Sequence, residues 1–109
     1  MRDLTKLTKV EIKKLPALYE TDGVELKDKV IQVHFFLCGC DWYGVEFDPE
    51  ENLFWGYTIL NNDFQNAEWG YFSLDELASI RRPFMVGKDR YWNVRKASEV
   101  DKIKRGMGW

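Results

Sequence analysis

From residue 30 to residue 60 apolar and polar positions alternate with a period near two, and turn residues break the alternation into three runs. Residues 30–38 read as a strand, with Ile31, Val33, Phe35 and Leu37 on one face and Gln32, His34, Phe36 and Cys38 on the other. Gly39 supplies a turn, and residues 41–48 set Tyr43, Val45 and Phe47 against Trp42, Gly44, Glu46 and Asp48. Pro49-Glu50-Glu51-Asn52 makes the next turn, and residues 53–60 form a third strand, so an antiparallel meander is the simplest connection. A polar loop over 61–67 leads to a fourth strand at 68–72, and residues 91–94 are a candidate last strand.

Flanking segments carry helix signals instead. Thr8-Lys9-Val10-Glu11 has the capping-box form, with Ile12 and Leu15 following, and predicts a short helix over about 8–14 that Leu15-Pro16 closes. Ser73-Leu74-Asp75-Glu76 repeats the signal, with Leu77 and Ile80 at helical spacing and an end at Arg81-Arg82-Pro83. A closing helix over 98–105 precedes a tail at 106–109 expected to be mobile. These elements predict an α+β fold: a twisted antiparallel sheet of four or five strands with two or three short helices. One domain spans residues 1–109, with neither internal repeat nor low-complexity tract.

Charge complicates this picture. From residue 30 to residue 80 there is no lysine or arginine, yet the window holds nine acidic side chains and twelve of the 17 aromatics. Residues 1–14 carry a net +3, residues 15–80 a net −11 and residues 81–109 a net +6. Either the basic ends fold back over the acidic middle, which is the expectation, or the surface is dipolar and steers a charged partner. The first residues contain no apolar run, no window approaches the roughly 18 apolar residues of a span, and Cys38 and Cys40 are too close for an unstrained disulfide. A reduced, cytoplasmic setting is expected.

Several stretches are also familiar in order: Leu15-Pro16-Ala17-Leu18-Tyr19-Glu20-Thr21, Val33-His34-Phe35-Phe36, Trp42-Tyr43-Gly44-Val45-Glu46-Phe47-Asp48, Leu53-Phe54-Trp55-Gly56-Tyr57 and Trp69-Gly70-Tyr71-Phe72-Ser73-Leu74-Asp75-Glu76-Leu77. Together they resemble the small bacterial family called domain of unknown function 2958, over roughly residues 8–100. That resemblance implies a protein of plasmids, phages or other mobile elements, and it carries no established activity.

Candidate chemistry is sparse. Glu46 and Asp48 share a strand face, and paired carboxylates can divide acid and base roles, but a solvated sheet face explains them as well. His34, Cys38 and Cys40 supply three zinc ligands at most, and His34 and Cys38 lie roughly 13 Å apart along a strand, too far for a nucleophile pair. No cofactor or metal is expected, and no enzyme.

The face carrying Trp42, Glu46 and Asp48, with His34 beside it and Trp55 and Trp69 nearby, is more suggestive, because exposed aromatics with acids bind cations, amines or basic protein patches. The competing outcome is a second layer covering that face. The expected function is a non-enzymatic accessory or interaction protein that binds a protein partner there, with a small-molecule binder as the alternative. A further alternative is nucleic-acid binding through Arg90, Trp92, Arg95, Lys96, Lys102, Lys104 and Arg105. No membrane association is expected.

Overall fold

The structure, a computed structural model, describes residues 4–81 and 83–109. The expected first strand is two pieces, β1 (Val30–Ile31) and β2 (Val33–Leu37), separated at Gln32. Strands β3 (Cys40–Asp48), β4 (Leu53–Ile59) and β5 (Glu68–Ser73) follow as the predicted meander. The fifth strand of the sheet is β6 (Gly87–Lys88), which pairs with β2 and gives the order β5-β4-β3-β2-β6. Residues 91–94 form no strand, because Asp89 turns the chain there: its carboxylate accepts from the Tyr91 backbone and its carbonyl from the Trp92 backbone. The chain extends again only at β7 (Arg95–Lys96), which pairs with β1 as a separate two-stranded sheet.

Two local features decide which side chains share a face. Cys38 and Gly39, with φ of 40° and 85°, make a two-residue turn that sets Phe35 opposite Trp42 and His34 opposite Tyr43. Directly paired residues share a face, so Trp42 joins Val33 and Phe35, while Tyr43 takes the other side. A β-bulge between Gly44 and Glu46 then inserts Val45 as an extra residue and reverses the alternation. Phe47 therefore returns to the Trp42 face, and Glu46 crosses to the Tyr43 side. The expected strand faces are corrected accordingly: Phe47 parts from Tyr43 and Val45, and Ile31 parts from Val33 and Phe35.

Both faces are covered. Val33, Phe35, Trp42, Phe47, Phe54 and Phe72 pack beneath Leu7, Leu74 and Leu77. Ile31, Tyr43, Val45, Tyr57 and Ile59 pack beneath Ala97, Val100 and Ile103 from the C-terminal segment. Each large side chain fully buried this way contributes roughly 1.5–3 kcal/mol. The sheet is sandwiched, and every residue of β3 from Asp41 to Phe47 is buried.

The covering helices begin where the sequence signals place them. Helix α1 (Lys9–Lys14) closes its capping box through Thr8 and Glu11 in both directions. Helix α2 (Leu74–Ser79) is capped by Ser73, which accepts from the Glu76 backbone. Its predicted end falls partly on Arg82, outside the described residues. Helix α3 (Asp101–Met107) stops at Gly108, whose φ of 72° lets Trp109 donate back to the Lys104 carbonyl. The tail at 106–109 is thus packed rather than loose: Met107 and Trp109 lie against the second core, and the Lys27 ammonium sits over the Trp109 ring. Among the described residues no helix is long and apolar enough to cross a membrane.

Candidate functional site

The bulge that moves Glu46 across the sheet creates a row. Glu46 on β3 pairs with Trp55 on β4, and Trp55 pairs with Tyr71 on β5, so all three project from one face. The segment after α1 arches over this row in successive turns, closed by hydrogen bonds from Glu20 to the Ala17 carbonyl, Asp22 to the Tyr19 carbonyl and Val24 to the Thr21 carbonyl. Glu46 fastens the arch. Only 3% exposed, its carboxylate accepts from the backbone N–H of Tyr19 at 2.9 Å and of Thr21 at 3.0 Å, and from the Thr21 hydroxyl. Lys29, also buried, donates to the Thr21 carbonyl and hydroxyl, and its ammonium lies 5.0 Å over the Trp55 ring.

Tyr19 takes the cost of this arrangement. Its φ of 70° lies in the left-handed region, uncommon for a bulky residue, yet its side chain stays 65% exposed. Its hydroxyl accepts from that of Tyr71, itself half exposed, at 3.2 Å. That bond, the partial burial and the negative charges of Glu46 and Asp22 raise the Tyr71 phenol above its usual range. Beneath the two tyrosines is a cleft of about 520 Å³, walled by Trp55 and edged by the carboxylates of Asp22 and Glu25. Neither of those carboxylates has an ion pair among the described residues.

Residues 6–101 match the family described as Protein of unknown function (DUF2958). The chain belongs to that family. No curated protein and no solved structure matches it. The site draws on four of the segments that carry the family resemblance, through Tyr19, Glu46, Trp55 and Tyr71. The same segments align a glycine row, Gly44–Gly56–Gly70, across three strands. A Cβ at Gly56 would lie 1.8 Å from the Tyr43 carbonyl oxygen, so this family member's sheet closes only with glycine there.

The candidate residues from the sequence therefore divide. Glu46, Trp55 and Trp69 come together, Trp69 stacking on Trp55 at 5.3 Å. Trp42 does not: it is buried on the opposite face, so of the open and covered alternatives for Trp42, Glu46 and Asp48 the covered one holds for Trp42 and Glu46. Asp48 instead caps the turn after β3 by accepting from the Glu50 backbone. His34 stacks on Tyr43 at 4.6 Å, with Nε2 2.7 Å from Asp41 and Nδ1 3.3 Å from Asp89. Burial raises the Asp41 carboxyl, but hydrogen bonds from His34 and Lys102 outweigh it and hold the group below its ordinary value. Burial and the nearby Asp41 charge raise the Tyr43 phenol well above its usual range.

Most of the basic C-terminal set is engaged internally. Lys102 pairs with Asp41 at 2.9 Å, Lys96 with Asp28 at 3.7 Å, Arg95 lies over Trp92 and Arg105 over Phe64. Trp92 donates its indole N–H to the Ile31 carbonyl. Only Arg90 and Lys104 of that set lack such a partner among the described residues. The basic C-terminal segment folds back and meets Asp41 and Asp28, whereas no N-terminal lysine pairs with an acid of the middle segment among the described residues. Sequence reasoning missed Tyr19, Asp22, Glu25, Lys29 and Tyr71 as site residues. The one available signal was Tyr19 as an aromatic anchor within a loop of turn residues.

Proposed function

We infer that this protein is a non-enzymatic interaction protein of a plasmid, phage or other mobile element, and that it takes a basic group of a protein partner into the cleft beneath Tyr19 and Tyr71. The observation that carries this reading is Tyr19 itself. A tyrosine held at positive φ by a buried carboxylate, while its ring stays in solvent, is costly for stability alone and suits a presented contact. Two aromatic rims and two unengaged carboxylates match a lysine or arginine side chain by cation–π and charge, while the Trp55 ring, already covered by Lys29 and Trp69, only walls the cleft. The ammonium of Lys29 over Trp55 is an internal instance of the same chemistry.

The non-enzymatic half is supported by the condition of the acid–base groups. Both His34 nitrogens face carboxylates, and Asp41 and Glu46 are committed to internal donors. Cys38 is exposed in a tight turn. A cytoplasmic setting accords with these free thiols and belongs to the same proposal.

Photo-crosslinking from position 71 of the purified protein in host lysate tests the reading. A partner species is expected, and Tyr19→Ala or Asp22→Lys should each abolish it while leaving the unfolding midpoint within a small shift. Capture unchanged by both substitutions would sink the proposal. A small amine-bearing ligand is the rival occupant of a 520 Å³ cleft, and it predicts a thermal shift with free polyamines and no crosslinked protein.

A further inference from the structure

At the other end of the sheet, where β2 meets β6, the segment 4–15 and the loop 88–94 enclose a second groove of about 620 Å³. Its charge is the reverse of the cleft's. The two acids that line it are already engaged: Glu11 by Lys88 and the Thr8 backbone, Asp89 by His34 and the Tyr91 backbone. Three cations that line it, Lys6, Lys14 and Arg90, have no ion pair among the described residues. The floor is apolar, built from Leu7, Leu15 and Val33 of the first core, with Trp92 to one side and exposed Val94 at the mouth. Trp92 offers a nucleobase no stacking platform. Arg95 already lies 4.4 Å over the ring, His34 and Tyr43 crowd it, and its N–H is bonded to Ile31.

We propose that this groove binds a small anionic amphiphile, an aliphatic body seated on Leu7, Leu15 and Val33 with a carboxylate head between Lys14 and Arg90. The volume falls in the range of small-molecule sites, and three unengaged cations around an apolar floor select a ligand that is anionic at one end only. A longer polyanion is disfavoured, because the basic residues that would track it are tied to Asp41, Asp28, Trp92 and Phe64. The site does not depend on the Tyr19 cleft, and either can stand without the other.

The test is a titration of the full-length protein with sodium decanoate below its micelle concentration, read by amide chemical shifts and calorimetry at low salt. Saturable one-to-one binding is expected, with shifts confined to residues 4–15, 32–33 and 88–94. Lys14→Ala and Arg90→Ala should each weaken it by about tenfold, as loss of a charged hydrogen bond does. Val94→Trp should block the mouth and abolish binding, and the unfolding midpoints of all three variants check that the fold is intact. Decanol binding as tightly as decanoate would leave only an apolar patch and overturn the proposal. So would shifts centred on Tyr19 and Tyr71, or tighter binding of a single-stranded oligonucleotide or of a peptide with a free apolar C-terminus.

Discussion

Asp41 and Glu46 lie five residues apart on β3, each 3% exposed, and the protein solves the same problem for them in opposite ways. Asp41 is met by side chains: His34 from the neighbouring strand and Lys102 from the C-terminal helix. Glu46 is met by the backbone of the arch, with a lysine one step behind through Thr21. Flexible side-chain partners can move or be replaced by water, so Asp41 works as a latch that ties the chain's end to the sheet. Backbone donors cannot move without moving the chain, so Glu46 works as a mould that imposes a conformation on Tyr19. A buried carboxylate bonded to side chains secures an element, whereas one bonded to amides shapes a surface.

The largest expected effect comes from removing the mould. Glu46→Ala leaves the Tyr19 and Thr21 amides and the Thr21 hydroxyl without their acceptor, and should cost about 4 kcal/mol, in line with removing a buried charged group that several donors share. Glu46→Gln keeps the shape but turns an amide NH₂ toward a donor, and about 2 kcal/mol is expected. Denaturant midpoints measure both. If the two variants lose equally, charge rather than the direction of the hydrogen bonds holds the arch, and the contrast with Asp41 collapses.

Asp41→Asn should cost less, about 1–2 kcal/mol, because Lys102 is 45% exposed and can return to water while His34 keeps Asp89. Lys102→Ala should fall below that again, at about 1 kcal/mol. Loosening of the latch would appear as faster amide exchange in α3 and not in residues 19–24. Exchange rising equally in both segments would show that the two carboxylates act as one unit.

Much of this architecture was legible in the sequence, and the part that was not has a physical reason. The meander, both helix starts and the polar loop at 61–67 follow from alternation and capping side chains, which are local. The Val45 bulge is not local. The inserted residue is fixed by where β4 finds its partners, so reading Glu46 by simple alternation put it on the wrong face. The two-residue strands β1, β6 and β7 are too short to carry a period. Trp42 with Glu46 and Asp48 looked like an open surface because its covers come from elsewhere in the chain, Leu7, Leu74 and Leu77 over Trp42 and the arch at Tyr19 and Thr21 over Glu46. Charge segregation pointed correctly to the folding back of the basic C-terminal segment, which brings Lys102 to Asp41. That Asp22 and Glu25, two of the acids left without an ion pair, would edge a cleft beside Tyr19 and Tyr71 was invisible without the arch.

Acid separates the two carboxylates more gently than mutation. Asp41 and Glu11 are both held below their ordinary values: burial raises each, and hydrogen bonds with His34 and Lys102, or with Lys88 and Thr8, outweigh it. A depressed folded-state carboxyl contributes stability that is present above its unfolded value and lost as pH falls through the folded one. Unfolding midpoints should therefore hold near neutrality and decline below about pH 4. Asp41→Asn should make that decline shallower, since one contributing proton is no longer taken up. An unchanged slope would mean that Asp41 is no titrating latch.

The smallest effect on stability is also the sharpest test of the mould. Tyr19→Gly frees a residue held at a φ of 70°, a relief worth roughly 1–2 kcal/mol for a non-glycine residue in that region. Against it stand the greater freedom of glycine in the unfolded chain and the lost bond to Tyr71, each of similar size and opposite sign. The net change should be within about 1 kcal/mol, while crosslinking to a basic partner disappears. Tyr19→Phe separates ring from hydroxyl: it keeps the strained backbone and the cation-facing ring and removes only the Tyr71 contact. If Phe binds as Tyr does and Gly does not, the ring presented by Glu46 is the contact, and the buried carboxylate acts on a partner it never touches.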